Sequence, residues 1–322
     1  MGRAKLIGLF SLVLILGLGI AAVGQAKKHT VNVVMVLEGQ LTRAELGFQT
    51  GLQEAGYYVK YKTFTVPGSS STSEVLKRLP FAKTDLIYVA GLSPHSARLI
   101  KNVKDIPIIL KLSSPNQVPA AAFGKNSLPD NVTGTFHEVP FPIQHAVAQR
   151  LLNFKRLGYL SNPEDPQSRL ELDSLIAYAV KEGSFTVVQA NVNSSSIDEA
   201  VAALKAQKAD LLWLPNHSFT ARHFQEIVAS ANRHQLPTFA SKEEFVLQGG
   251  ALLAMVGDEF QLGRTAAAQA DKILRHEVEK AGDLPVEGPL AFSPVVNMKT
   301  AQTLGIPLPP SLTLIAKRAI RD

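Results

Sequence analysis

The stretch "LGYLSNPEDPQSRLEL", residues 157–172, contains the change of pattern that decides the fold. An apolar run ends, a polar tip with two prolines follows, and apolar residues then recur at helical spacing. Short apolar runs bounded by turn residues are typical of buried strands, whereas a spacing of three or four is typical of helices. The stretch predicts a strand over 155–161 and a helix over 168–183. It also raises the question of whether the tip is a plain turn or one wall of a binding site.

The same alternation of strand and helix runs along the chain. "VNVVMVL" at 31–37 predicts a buried strand, and "TRAELGFQTGLQEAG" at 42–56 predicts a helix that begins with a capping box of Thr42 and Glu45. Strands that alternate with helices indicate βαβ units around a parallel sheet. The pattern restarts near residues 137–142. The predicted fold class is therefore α/β, with two doubly wound parallel-sheet lobes joined by a hinge.

The first 26 residues have the layout of a secretory signal peptide. Basic residues at Arg3 and Lys5 precede an apolar block over 6–23, and small residues follow at Gly24 and Ala26. We expect cleavage near Ala26 and a periplasmic mature protein. Because the apolar block is about long enough to cross a membrane, a retained anchor is the alternative.

Composition excludes several kinds of chemistry. The chain contains no cysteine, which excludes disulfides, thiolate metal ligands, a cysteine nucleophile and a lipid-bearing cysteine after the apolar block. The net charge of +6 is dispersed, so nucleic acid is not an expected partner. The sequence lacks the HExxH, GxSxG and GxxxxGK[ST] motifs, and its histidines show no metal-ligand spacing. We therefore expect no catalytic residues, no metal and no cofactor.

Polar residues follow the predicted strands. In a parallel α/β sheet, ligands bind at the carboxyl ends of the strands, where the helices begin. Serine, asparagine and acidic residues dominate these positions, but the same residue types also cap helices. Ser161 and Glu164 in the opening stretch have the spacing of a capping box. A helix start can serve both roles, because its free N–H groups can also bind an anion.

Several segments together resemble a known family: "DNVTGT", "KRLGYLSNPEDPQS", "LLWLPNHS", "EEFVLQGGALLAMVGDEFQLGRTAAAQADKIL" and "VVNMKTAQTLGIPLPPSL". They are similar to the ABC transporter substrate-binding proteins of the periplasmic-binding protein type I fold, in particular to the group that includes tryptophan- and tyrosine-binding proteins. The likeness covers about residues 30–315. It implies a monomer whose two lobes close over one small-molecule ligand and then dock on an ABC permease in the inner membrane. It also implies an N-terminal lobe of 30–138 plus about 259–285 and a C-terminal lobe of 139–258 plus about 286–322.

The resemblance also implies the binding site, since in this family the matching loops line the cleft. The residues carried over on the matching segments, together with the acid in the first cleft loop, are Glu38, Ser93, Ser113, Ser114, Asn162, Glu164, Asn216 and Asp258. Asn216 departs from the family, which commonly has an aspartate there that suits a ligand ammonium group. The missing charge would have to come from Glu38 or Asp258.

The predicted function is that of the solute-binding component of an ABC importer, which holds a small, amino-acid-like molecule and catalyses no reaction. Two alternatives stay open at this point. The same fold could serve as a periplasmic ligand-sensing module that docks on a signalling receptor. A periplasmic hydrolase on a related fold is the other alternative, and it would lose turnover when an acid such as Asp258 is changed.

Overall fold

The computed structural model describes residues 30–65, 77, 80–114 and 128–321. The predicted signal peptide lies outside these residues. The strands of the described part are β1 (Thr30–Leu37), β2 (Tyr58–Thr65), β3 (Leu86–Ala90), β4 (Ile108–Leu112), β5 (Val132–Phe136), β6 (Arg156–Ser161), β7 (Thr186–Asn191), β8 (Leu211–Leu214), β9 (Thr238–Ala240), β10 (Leu253–Gly257), β11 (Phe292–Asn297) and β12 (Arg318–Ile320). The α-helices are α1 (Arg43–Glu54), α2 (Pro94–Asn102), α3 (Phe141–Leu152), α4 (Pro166–Glu182), α5 (Ile197–Ala206), α6 (Ser218–Arg233), α7 (Glu243–Leu247), α8 (Glu259–Leu274), α9 (Met298–Thr303) and α10 (Pro310–Ile315).

The strands form two separate sheets, each the centre of one lobe. The first sheet has the order β2-β1-β3-β4-β5, and all its described pairs are parallel. The second has the order β12-β11-β10-β9-β8-β6-β7 and is parallel except between β10 and β11. The strand order reverses between β1 and β3 in the first sheet and between β6 and β8 in the second. These reversals are the positions where doubly wound sheets bind ligands. The predicted fold class is confirmed.

The strand β1 explains why the sheets form. Every residue from Val33 to Leu37 is at most 3% exposed, so both faces of the strand are buried. An unbroken run of β-branched and aliphatic residues suits a strand that helices cover on both sides. The helix α1 that follows begins at the predicted capping box, because Thr42 N–H and Oγ1 both bond to Glu45 Oε2 at 2.7 Å.

The tip in the opening stretch differs from the prediction. Ser161 is the last residue of β6 and does not cap α4, whose N-cap is Asp165; Asp165 Oδ1 accepts a hydrogen bond from Gln167 N–H at 3.0 Å. The cause is Pro166. A residue before proline is disfavoured in the helical conformation, and proline itself fits the first helical position because it lacks an N–H. The helix therefore starts at Pro166.

The helix α8 follows the second sheet's strand β10 in sequence but packs on α1 of the first lobe. The two helices meet at glycines: a Cβ atom on Gly263 would lie 1.9 Å from the carbonyl oxygen of Ala44, and one on Gly47 would lie 2.0 Å from that of Phe260. The chain then continues along β5, where Thr133 Oγ1 donates to Leu284 O at 3.0 Å. On the basis of this packing, we propose that the chain divides into the two lobes at the boundaries that the sequence analysis predicts.

Replacing Gly263 with alanine is expected to destabilise the protein. Its Cβ would meet backbone rather than a flexible side chain, so the helices would have to move apart. Overpacking of this kind costs about 1–3 kcal/mol, against a gain of up to about 1 kcal/mol in helix propensity. The free energy of unfolding from denaturant titration measures the net loss. The control is Gly39→Ala, where the new Cβ has no atom within 4 Å. Equal stability of the two variants would contradict the close contact of α1 with α8.

Candidate functional site

A cavity of about 1130 Å³ lies between the two lobes. The first lobe contributes Ser113 and Ser114 after β4, apolar residues of β5 and the segment 282–286 that runs beside it. The second lobe contributes one face of α4, Trp213 of β8 and the loop 216–218. The connection from β5 to α3 closes one side with Glu138 to Pro142. This volume is slightly above the range of about 300–1000 Å³ that small-molecule sites occupy.

The structure brings three of the eight predicted site residues to this cavity, namely Ser113, Ser114 and Asn216. The other five are not among its described lining residues. Glu38 ties two loops of the first lobe together, because its Oε1 accepts hydrogen bonds from Ser93 N–H at 2.9 Å and from Ser96 Oγ at 2.8 Å. A direct ligand contact by any of these five residues stays a prediction.

The remaining three predicted residues also have structural partners or lie at the surface. Asp258 is the N-cap of α8 and accepts from Phe260 N–H at 2.9 Å. Asn162 is buried, and its side-chain oxygen accepts from Glu164 N–H at 2.9 Å, which closes a tight turn. Glu164 itself is exposed. The polar residues at these strand ends therefore satisfy backbone N–H groups, as capping residues do.

Sequence reasoning missed an acid in the wall of the cavity. Glu171 lies on α4 and accepts a hydrogen bond at 2.9 Å from the indole N–H of Trp213. Around this pair, the Phe141 ring meets Trp213 edge-on at 5.2 Å and Tyr178 edge-on at 5.5 Å between centroids. The available signal was helical spacing, since Glu171, Ser174 and Tyr178 are three and four residues apart and share a face of α4.

The two carboxyl groups of the cavity resist ionisation. The pKa of Glu171 is raised to about 8: burial is the main cause, the Trp213 N–H opposes the rise, and the carboxylates of Glu138 and Asp165 add to it. Burial also raises the pKa of Glu138, against the Ser114 hydroxyl and the positive charge of Lys242. A carboxyl group with a raised pKa lacks sufficient compensation for its negative charge.

The tip of the opening stretch is a turn that also supports the cavity wall, because Asp165 contacts the lining residues His217 and Ser218. Asp165 Oδ2 accepts a hydrogen bond from Ser218 Oγ at 2.8 Å and lies 3.6 Å from His217 Nδ1. Burial opposes the ionisation of Asp165, but hydrogen bonds from Ser218 and from Gln167 N–H hold its pKa below the usual range. Burial lowers the pKa of His217. Asp165 thus locks the loops after β6 and β8 together at the point where the strand order reverses.

Two further properties of the described residues bear on the site. No group of three or more histidine and acidic side chains among them could hold a metal ion. In the same part of the chain, no helix is long and apolar enough to cross a membrane.

Two α/β lobes with a cavity between them have the architecture of a periplasmic-type solute-binding protein. The chain belongs to the family of ABC transporter substrate binding proteins, whose model matches residues 30–320. This match confirms the family predicted from the sequence. Membership implies a small-molecule ligand, a permease partner and a place outside the cytoplasm.

Individual relatives agree with this family. A tyrosine-binding protein of Clostridioides difficile (strain R20291) is 27% identical over 289 residues, which is 86% of this chain and 81% of that protein. The structure of an ABC domain in complex with L-Trp from Streptococcus pneumoniae is 26% identical, with a TM-score of 0.61 over 91% of this chain and 100% of that one. The ligand-free, open structure of a substrate binding protein with adhesive properties from Clostridium difficile is 23% identical, with a TM-score of 0.74 over the same shares.

Changing Glu171 to glutamine is expected to alter how stability depends on pH. The unfolded chain ionises this carboxyl near its ordinary pKa of 4.5, whereas the folded protein holds the proton up to about pH 8. At any pH between 4.5 and about 8, unfolding therefore releases a proton. The free energy of unfolding of the wild type consequently falls as the pH rises through this range. Glutamine cannot titrate, and its side-chain oxygen still accepts from Trp213. Without ligand, the free energy of unfolding of the variant should exceed that of the wild type by about 1–3 kcal/mol at pH 8.5 and nearly match it at pH 5.

Denaturant titrations of the empty proteins at both pH values measure this difference. The matched control is Glu164→Gln, an exposed position near the start of the same helix. Its stability should stay within about 0.5 kcal/mol of wild type at both pH values. If the difference in the free energy of unfolding between Glu171→Gln and wild type is the same at pH 5 and pH 8.5, this carboxyl is not the titrating group.

Proposed function

We propose that this protein is the solute-binding component of an ABC importer and holds a small, amino-acid-like molecule between its two lobes. The observation that carries the proposal is the cavity whose walls come from both lobes and include the residues that follow the parallel strands β4 and β8. A solute that contacts both walls favours the state in which the lobes are together. A permease can recognise that state.

The binding energy that such a receptor needs is available in this cavity. Micromolar affinity requires about 8 kcal/mol. A charge-assisted hydrogen bond contributes about 1.5–3 kcal/mol, so polar contacts need support from the burial of apolar surface. Phe141, Tyr178 and Trp213 all line the cavity. Burying one aromatic side chain of about 150–250 Å² against them is worth about 4–6 kcal/mol.

The relatives support an amino-acid-like ligand with an aromatic body. The curated relative is a tyrosine-binding protein, and one of the similar structures holds L-Trp. The aromatic walls of the cavity suit the same class of ligand. The family membership supports import over the sensing and hydrolysis alternatives that the sequence leaves open.

The proposal includes the setting in which the protein works. The signal over residues 1–26 directs export, cleavage near Ala26 leaves a periplasmic monomer, and the partner is an ABC permease in the inner membrane. The protein performs no chemistry on its solute. A bound solute should therefore be recovered chemically unchanged, by mass spectrometry, after prolonged incubation. A product that the protein forms from it would favour the hydrolase alternative.

Filling the cavity is expected to abolish binding. Ser174 lies on the cavity face of α4, so Ser174→Trp places an indole where the solute would lie. All the amino acids are tested as ligands, and we expect L-tyrosine or L-tryptophan to stabilise the wild-type protein. The gain is about 2.7 kcal/mol at a hundredfold excess over Kd. The Ser174→Trp variant should lose this gain, as measured by thermal shift and by calorimetric titration.

The matched control is Asp173→Trp, which places the same ring at an exposed neighbouring position that is not among the described lining residues. It should bind like wild type. If no amino acid stabilises wild type, the amino-acid-like ligand is wrong. If Ser174→Trp binds as tightly as Asp173→Trp, the solute binds elsewhere.

A further inference from the structure

The charged side chains among the described lining residues of the inter-lobe cavity have one sign. Glu138 and Glu171 are acidic, and the described lining residues include no lysine or arginine. The histidine of the lining, His217, is buried, and burial lowers its pKa. The positive charge that acts on Glu138 is that of Lys242, which is not among the described lining residues. The field in the cavity therefore favours a cation.

One carboxyl oxygen of Glu171 accepts a hydrogen bond from the protein, and the other is available to a ligand. The Trp213 N–H fixes Oε1 at 2.9 Å, and no described residue donates a hydrogen bond to Oε2. The side chain lies midway along the cavity face of α4, between Gln167 and Ser174. The indole bond thus orients the carboxyl group, as a preorganised acceptor requires.

Glu138 faces the same space from the other side. It belongs to the connection from β5 to α3, where the chain passes from the first lobe to the second, and the Ser114 hydroxyl donates to it. The two carboxyl groups raise the cost of ionising each other. An ammonium group between them would remove that cost and could donate a hydrogen bond to each, since it carries three donors.

We infer that the cavity selects a primary amine with an apolar body, and that Glu171, together with Glu138, binds its ammonium group. The inference rests on the proposed function, because the same cavity holds the solute. Phe141, Tyr178 and Trp213 take the apolar body, and the amide of Asn216 offers a neutral hydrogen-bond partner beside them. The ammonium group, rather than a carboxylate, is the determinant of recognition.

The site also makes affinity depend on pH. Because burial raises the pKa of Glu171 to about 8, an amine that binds below this pH must displace a proton. The other ionisable groups around Glu171 are Glu138 and Asp165, which add negative charge, Tyr178, whose pKa burial raises, and His217, whose pKa burial lowers, so that both rings stay neutral. Affinity for an amine should rise by up to about tenfold per pH unit between pH 6 and pH 8.

Matched pairs of probes that differ in their charged group test the inference. They are tyramine with 3-(4-hydroxyphenyl)propionate, tryptamine with indole-3-propionate, and hexylamine with hexanoate. Calorimetric titration of the full chain gives Kd at pH 6 and pH 8. In the pair that binds best, the amine should bind at least about tenfold more tightly than the acid at pH 8, and its affinity should fall at pH 6.

The variant Glu171→Gln separates charge from shape, since it keeps the bond to Trp213. It should weaken amine binding by about tenfold or more at pH 8 and remove most of the pH dependence. Asp173→Asn, at an exposed position of the same helix that is not among the described lining residues, should leave both unchanged. Unaltered amine affinity in Glu171→Gln would overturn the inference, and so would acids that bind as tightly as their amines.

The failure of this inference can be told apart from that of the proposed function. If an amino acid binds wild type but no amine of the three pairs does, the ammonium group is not the determinant, and the receptor assignment stands. If neither the amino acids nor any of the six probes binds, both proposals fail. Circular dichroism of Glu171→Gln confirms that any loss of binding is not a loss of fold.

Discussion

The contact between α1 and α8 is the constraint on which the arrangement of the lobes depends. Gly47 and Gly263 let the two backbones touch, so the chain that leaves β10 of the second sheet is held against the first lobe. Together with the connection from β5 to α3, this segment makes the chain cross between the two lobes more than once. Several crossings restrict how far the lobes can move relative to one another. Residues that follow β4 and β8 border the cavity between the lobes, so part of it lies at the carboxyl ends of both sheets.

Much of the fold could be predicted from the sequence because its signals are local. Buried runs such as 31–37 and helical spacing in 168–183 identify elements without any knowledge of their partners. The place of α8 has no local signal, since its sequence position puts it with the second lobe. The family resemblance supplied that expectation. At Ser161, two local rules competed, and the restriction imposed by Pro166 prevailed over the capping-box spacing.

The candidate site was less predictable, because polar residues at strand ends serve two purposes. Every helix start needs acceptors for its free N–H groups. Asp258 and Asn162 meet that need, whereas Ser113 and Asn216 border the cavity. Residue type does not distinguish the two groups. Glu171 was missed for the opposite reason: by spacing it is an ordinary position of an amphipathic helix, and only the packing of α4 beside the hinge places it in the cavity.

The acidic cavity gives a physical reason why such a receptor would close only when it is loaded. Bringing the lobes together removes water from Glu138 and Glu171, and desolvating a carboxylate is costly unless a partner compensates its charge. An empty protein therefore meets a penalty on closure, which it reduces by taking up protons. A bound ammonium group replaces those protons and removes the penalty. Because the amine binds the closed state more tightly than the open one, it shifts the population toward closure. The same two carboxyl groups would then determine which solute binds and ensure that a permease meets a closed receptor only with its cargo inside.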